Sequence, residues 1–458
     1  MLTEEREVRQ RASLLERSLR KGDAERVRSL LRSQHPADIK ECMQQLPLEL
    51  WPGLLEAIPE WEKRAEVVCQ LEEAQWQQLM ARLAPGDIAR LIKHMESDDA
   101  ADLVGCLSDE QKHRVLPALS REDRASVLQL LGYPQESAGG IMQLERAQVS
   151  HKATVTDAIR TVRELVEEDV EVLVIWVVDD DQRLIGSCEL SDLLLHKSTT
   201  RITDIMNEDV SGVEPFMDQE QVADLFQKYD LLAVPVVDKQ GRILGRIVID
   251  DVMDVLSAEA DEDALHMAGT STEELAHPTQ VFAIARVRLP WLAISLLCSL
   301  ASAFLVYAFE TVLGQAIILV PFISVITAMG GNVAVQSATL LLRNLVSGKA
   351  GSQDTTQFLW REVKVNLITG TACGLASSVV AAVVLSDSNW YLGGVVFLAM
   401  VAGMAASSTV GVLVPTLLRR LGVDPAIASG PSVMTLSDIT GIAIYLSIAI
   451  PFLRYLQA

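Results

Sequence analysis

Carboxylates are the residues whose placement suggests chemistry in this sequence, and they occur in two settings. Asp438 stands alone in GPSVMTLSDITG, the only charge in the apolar run 426–453. An acid at the centre of a membrane span costs roughly 2.5–3.5 kcal/mol on insertion scales, so it faces a partner or a water-filled path. The uncharged runs hold no Lys or Arg to neutralise it, which favours a cation path over a simple interhelical hydrogen bond. Gly430-Pro431 and Gly441 flank it, where freed backbone carbonyls would line the same cavity. The second setting is Asp250, Asp251, Asp254, Glu259, Asp261, Glu262 and Asp263, seven acids in fourteen residues with no base among them. On a helix, Asp251/Asp254 and Glu259/Glu262/Asp263 fall i,i+3 and i,i+4, which sets like charges together at a cost in stability. A solvated acidic face is the plain alternative. The missing countercharge and the membrane just downstream favour loose divalent sites, because Mg²⁺ takes carboxylate oxygens, keeps several waters and needs only one or two carboxylates per ion. Asp98 and Asp102, one helical turn apart, could share a cation as well, although capping a helix start is the simpler role for acids there.

Outward from Asp438, the uncharged runs are 290–309, 311–342, 365–386, 390–418 and 426–453, each long enough to cross the hydrocarbon core. Five spans follow, with Pro321 and Gly330-Gly331 as candidate breaks in the long second run. Arg286 and Arg288 precede the first span, Arg343, Lys349, Arg361 and Lys364 flank the second loop, and Arg419 and Arg420 lie in the fourth. The first and third loops carry only Glu310 and Asp387. By the positive-inside rule the N-terminus is cytoplasmic and the C-terminus outside. The charged start MLTEEREVRQ has no apolar core, so no signal peptide is expected. Gly370, Gly374, Ala376 and Ser377, then Gly403, Ala405, Ala406, Ser407 and Ser408, are small residues that permit close helix approach in lipid.

The chain has 458 residues, a net charge of −22 and a mean hydropathy of +0.24. Residues 277–458 hold nine bases and six acids, and residues 1–276 hold 30 bases and 55 acids. A strongly acidic half thus precedes a nearly uncharged membrane half, which excludes an ordinary soluble enzyme and a nucleic-acid partner, since phosphate neutralisation needs Lys and Arg. Cys42, Cys69, Cys106, Cys188, Cys298 and Cys373 lack CxxC spacing, which suits a reducing compartment. No nucleophile–base pair or phosphate-binding Gly loop stands out, and His94, His113, His151, His196 and His266 are scattered; no enzyme is expected. Residues 1–135 alternate leucine-rich segments with polar breaks, among them His35-Pro-Ala-Asp38, Ala84-Pro-Gly-Asp87 and Asp98-Asp-Ala-Ala-Asp102, the pattern of stacked helical hairpins with an Asp at each helix start. Next, Val178-Asp179, Arg183, Gly186, Leu190 and Asp192 recur as Val237-Asp238, Arg242, Gly245, Ile249 and Asp251, at a constant offset of 59. Each unit predicts a helix (156–167, 219–228), two β-rich runs about a polar turn, and a second helix.

This repeat resembles a tandem pair of CBS modules, over about residues 138–257. CBS pairs often bind adenine nucleotides through a hydroxyl after the glycine; Glu189 and Val248 stand there instead, which argues against nucleotide binding. Over nearly its whole length the chain resembles the MgtE family of bacterial magnesium channels and transporters. The resemblance lies in YDLLAVPVVDKQGRILG, IDDVMDVLSAEADED, PWLAISLL, GGNVAVQSATLLLRNL and LGVDPAIASGPSVMTLSDITG.

The resemblance implies a multidomain integral membrane protein of the bacterial inner membrane. Its parts would be a helical-repeat domain (1–135), two α/β CBS modules (136–200, 201–257), an acidic connecting helix (258–285) and a five-helix pore domain (286–458). It implies a homodimer in membrane lipid, with Asp438 of each copy holding hydrated Mg²⁺ and with Asn332, Gln336 and Gly441 as pore-lining candidates. Asp230, Asp251, Asp254, Glu259, Glu262 and Asp263 would match cytosolic Mg²⁺-sensing acids. Asp424 would be bridged to the connecting helix, and Asp98 and Asp102 fall where the N-terminal domain meets the CBS pair. The family's GGNAGNQSAT reads here with Val335 in place of the second Asn, which removes a polar group near the pore and bears on selectivity and conductance. The expected function is Mg²⁺ uptake gated by cytosolic Mg²⁺. The rivals are a Co²⁺, Ni²⁺ or Mn²⁺ transporter and a membrane-anchored CBS signalling module. Softer metals would want His or Cys, and only Cys298 and Cys373 lie in the spans.

Overall fold

A computed structural model describes residues 2–167, 170–271, 274, 281–346, 352–384, 390–422 and 430–456. Two units emerge, Met1–Ser257 and Ala258–Ala458, and the division falls within one helix, Ile249–Ala268.

The first unit begins with successive helices running from Leu2–Arg20 to Arg121–Leu130. Their apolar stripes merge into one core containing Met43, Leu54, Val67, Leu79 and Leu103, as expected where no single hairpin can bury its own face. The expected Asp caps are shifted: His35 accepts from the Ala37 N–H at the start of Pro36–Gln44, and Asp38 and Asp87 sit in the first turns. There they favour the helix dipole rather than close the cap.

The repeat at offset 59 folds as two like modules. Strands β1 (Gln148–Ser150), β2 (Val174–Val178) and β3 (Leu184–Glu189) form one sheet in that order, with β1 parallel and β3 antiparallel to β2. Strands β4 (Ala233–Val237) and β5 (Ile243–Val248) pair antiparallel in the second. The repeated Asp explains the repeated turn. Asp179 Oδ1 accepts from Asp181 N–H at 2.9 Å and Arg183 N–H at 2.8 Å, and Asp238 Oδ1 accepts from Gln240 and Arg242, both at 2.8 Å. Each turn then needs one left-handed residue, Gln182 (φ 63°) and Gly241 (φ 80°). Val174, Trp176 and Val178 pack with Ala233, Ile243 and Val248 between the modules.

Among the described residues the second unit holds five helices long and apolar enough to span a membrane: Val281–Ala308, Ile317–Asn344, Thr355–Val383, Trp390–Arg420 and Pro431–Leu456. The second span does not break at Gly330-Gly331. Its break comes earlier, at Ala316, between the short helix Glu310–Gln315 and the helix Val320–Val346. The fifth span is likewise helical straight through Gly441, so the carbonyls there are not freed. The third span starts well before the uncharged run and takes in Arg361, Glu362 and Lys364; the spans are therefore not free of bases. The small residues serve close packing, as expected in lipid. A Cβ on Gly411 would stand 2.3 Å from the Ala334 carbonyl oxygen, and one on Gly370 would stand 3.2 Å from Val401 Cα. The fourth span lies at the centre, packed on the second, third and fifth, while the first packs on the fifth. The acidic helix is Ile249–Ala268 rather than 258–285, and Gly269 ends it at φ 78°.

Candidate functional site

Asp438 lies seven residues inside the fifth span, half-buried. The helix seats it by neighbouring contacts. Ser437 is fully buried and donates to Ser407 Oγ at 2.7 Å, and two turns of helix later Tyr445 donates to the Leu319 carbonyl at 2.9 Å. These anchors turn Asp438 toward the glycine pair of the second span. A Cβ on Gly331 would meet Met434 Cγ at 3.1 Å and Asp438 Oδ1 at 3.7 Å; one on Gly330 would meet Ser407 Oγ at 2.8 Å. Next to Gly331, Asn332, Gln336 and Thr339 follow at i,i+4,i+7 spacing, which makes a polar stripe along one face; Asn332 is exposed in the single chain. Gly441 departs from the expected lining role, being buried with Ile326 Cγ2 3.8 Å from its Cβ position. Val335 adjoins the stripe in sequence.

The connecting helix reaches this span within the second unit. Gly430 precedes Pro431 at the start of the fifth span, and a Cβ there would lie 2.4 Å from the Met267 carbonyl oxygen; one on Gly269 would lie 3.0 Å from Pro431 Cγ. Glu262 pairs with His266 at 3.7 Å, and the His266 ring faces Trp291 with centroids 6.3 Å apart. Glu259 and Asp263 lie on the same helix.

A second concentration of acids lies in the first unit, where helix Ser97–Cys106 meets the start of Ile249–Ala268. Asp98 is 6% exposed, and its Oδ1 has no hydrogen-bond partner among the described residues. Burial, then Asp251, Asp99 and Glu96, push the Asp98 carboxyl well above its ordinary range. Burial and Asp250 with Glu96 raise Asp251 to about 8, and burial with Asp99 and Asp250 raises Glu96 to about 7. Asp102 rises to about 6 through burial, Asp99 and Glu73, and Asp254 rises through burial and Asp250. Asp99 is raised chiefly by burial and accepts the Cys69 thiol. Gln143 organises the group. Its Nε2 donates to Glu96 Oε2 at 2.8 Å and Asp251 Oδ2 at 3.0 Å, while its Oε1 accepts from buried Arg246 at 3.1 and 3.3 Å. Ser97 fastens the helix by donating to Glu145 at 2.7 Å and accepting from the Leu144 N–H.

Arg246 offsets charge at Glu96, whereas the carboxyls of Glu96, Asp98, Asp99, Asp250, Asp251 and Asp254 act on one another, so ionising them together is unfavourable without a cation. Among the described residues no three His, Cys, Asp or Glu side chains close into a metal cage. The donor set still fits hydrated Mg²⁺, which keeps its water and needs one or two carboxylates; the partnerless Asp98 Oδ1 is one such oxygen.

Asp230 lies apart from the cluster. It is exposed and caps helix Gln219–Tyr229 in the left-handed conformation (φ 52°). Asp424 lies outside the described residues. Sequence reading missed Glu96, Asp99, Gln143 and Arg246, of which Glu96 and Asp99 adjoin the Asp98 motif and were within reach.

Residues 323–448 match the family model MgtE, described as a divalent cation transporter. Residues 34–136 match the MgtE intracellular N domain, and residues 202–258 match the CBS domain. The chain is 34% identical over 442 residues to the magnesium transporter MgtE of Thermus thermophilus, covering 95% of this chain and 97% of that one. It is 36% identical over 335 residues to the magnesium transporter MgtE of Enterococcus faecalis, 73% of each. Among solved structures, the soluble part of a magnesium transporter matches at TM-score 0.51 and 30% identity, over 55% of this chain and 99% of that one. The cytosolic domain of the Mg²⁺ channel MgtE in complex with ATP matches at TM-score 0.51 and 32% identity, over 53% and 99%.

Proposed function

The chain belongs to the MgtE family of magnesium transporters, and from that premise we propose that Mg²⁺ crosses the membrane past Asp438 and closes its own path through the acidic cluster around Asp98 and Asp251. The observation that carries the pore assignment is Asp438 facing Gly331, beside the polar stripe of Asn332, Gln336 and Thr339. Polar side chains on a span surface belong against a water-filled path or another helix rather than lipid. A second copy related by a two-fold axis would bring the two stripes and the two Asp438 carboxylates together. The paired carboxylates would hold a hydrated ion loosely enough to release it.

Gating needs an ion whose occupancy differs between two states. When cytosolic Mg²⁺ is high, it neutralises Asp98, Asp251 and their neighbours and holds helix Ser97–Cys106 docked. When it falls, like-charge repulsion undocks it. Asp251, Asp254, Glu259, Glu262 and Asp263 share the helix that ends against Gly430 and Pro431 at the foot of the fifth span, so a change at its start reaches the span bearing Asp438. The N-terminus lies in the cytoplasm of a bacterial inner membrane, by the bases flanking the even-numbered loops.

One relative was crystallised with ATP. Here Asp192 caps Glu189 N–H at 3.2 Å, Ser191 donates to Glu189 Oε2 at 3.2 Å, and Asp251 is engaged by Gln143. Glu189 and Val248, the positions after the two glycines, offer no hydroxyl, which weighs against a nucleotide acting here.

Asp438→Ala, reconstituted in liposomes, abolishes Mg²⁺ uptake while the protein still inserts. Uptake at the wild-type rate in that variant contradicts the pore assignment.

A further inference from the structure

Glu362 is a second carboxylate inside the membrane unit, 6% exposed and placed in the third span. Its Oε2 accepts from Ser337 Oγ at 3.0 Å, and its Oε1 pairs with Arg361 Nη2 at 3.3 Å, whose own head is 59% exposed. Ser337 is fully buried on the second span, the same helix that presents Gly331 to Asp438. The second and third spans share little surface, because each packs chiefly on the fourth. One turn away, Leu341 and Phe358 meet Val412 in a small apolar cluster, and Arg361 lies 4.7 Å over the Phe358 ring. Ser337/Leu341 and Phe358/Glu362 are both i,i+4 pairs, so the hydrogen bond and the apolar contact lie one above the other on facing helices.

We propose that Glu362 is a positioning residue for ion selection: by holding Ser337 it fixes the rotation of the second span and keeps Asn332 and Gln336 aimed beside Asp438. Gln336 adjoins Ser337 in sequence, and with 3.6 residues per turn neighbouring helical residues stand about 100° apart, so a rotation that frees Ser337 swings the polar stripe by the same angle. The apolar contact at Leu341 allows such a rotation more readily than a hydrogen bond to a buried carboxylate does, since the latter is directional and costly to leave unmade. This inference rests on the pore assignment of Asp438.

The test compares Mg²⁺ and Ca²⁺ flux into proteoliposomes for the full-length wild type, Ser337→Ala, Glu362→Ala, Glu362→Gln and the double alanine variant. A Gln side-chain oxygen still accepts from Ser337, so Glu362→Gln keeps the wild-type Mg²⁺:Ca²⁺ flux ratio within about two-fold. Each alanine variant lowers that ratio by roughly ten-fold, the size of a lost hydrogen bond to a charged group. The double variant is no worse than either single one, as for two ends of one interaction. An unchanged ratio in both single alanine variants, additive losses in the double variant, or Glu362→Gln behaving like Glu362→Ala overturns the proposal. Asp438→Ala runs in parallel: if it conducts like wild type, the pore assignment fails; if it is silent and the ratios do not move, only the role of Glu362 fails.

Discussion

Without Mg²⁺, the seam between helix Ser97–Cys106 and the start of helix Ile249–Ala268 is a pH-sensitive joint. Asp251 is raised to about 8 in the docked state, against about 3.9 for a free Asp. A carboxyl raised in this way supports docking fully only below its undocked pKa, and the support is lost as the pH climbs through the docked value. The window for Asp251 therefore runs from about pH 4 to about pH 8. Between pH 6 and pH 8 the loss is about 2 kcal/mol at 1.4 kcal/mol per pH unit. Asp251 is partly solvated, and screening trims this to about 1–2 kcal/mol, a factor of roughly 5–30 in the docking equilibrium. Hydrogen exchange on the full-length protein in detergent and EDTA reads it directly. After correction for intrinsic exchange, amides of Ser97–Cys106 open about 5–30 times more often at pH 8 than at pH 6. Asp251→Asn removes the share of this pH dependence that Asp251 supplies and leaves the share of Glu96, raised to about 7, and of Asp98. Mg²⁺ at pH 8 restores protection in the wild type and adds much less in the variant. The reasoning is refuted if Asp251→Asn keeps the wild-type pH dependence or lowers protection in the metal-free protein at pH 8.

Two further outcomes concern the membrane unit. Gly411→Ala forces a Cβ to within 2.3 Å of the Ala334 carbonyl, which pushes the second and fourth spans apart at a cost of roughly 1–3 kcal/mol. Gly394→Ala, with nothing within 4 Å, is the neutral control, and thermal unfolding in detergent separates the two; equal midpoints contradict the packing described. Tyr445→Phe removes the buried hydrogen bond to the Leu319 carbonyl and costs about 0.5–1.5 kcal/mol in the same assay, the net worth of a typical hydrogen bond.

The fold was legible where chemistry repeats at a fixed period. The offset of 59 predicted two modules because Asp179 and Asp238 build the same turn, and five uncharged runs predicted five spans. Asp438 was legible because a lone acid in an apolar run is too costly to keep unless it faces water, an ion or a polar partner. Glu362 was not: Arg361 and Lys364 beside it ended the apolar run, so the sequence put it in a loop, whereas the folded third span carries all three. Gln143 and Arg246 were invisible on different grounds. They are 103 residues apart and act on the acids only once their two segments pair, through Gln143 N–H to the Arg246 carbonyl and the reverse, each at 2.8 Å. The limits of the acidic helix were misjudged because its acids begin at Asp250, inside the repeat, and only Gly269 marks its end.

The most direct test of the central claim is Mg²⁺ current through the reconstituted protein as internal Mg²⁺ is varied, for the wild type and for the combined Asp98→Asn, Asp251→Asn, Asp254→Asn variant. Wild-type current falls as internal Mg²⁺ rises, and the variant stays open across the same range. A wild-type current indifferent to internal Mg²⁺, or a variant that closes as the wild type does, contradicts the account.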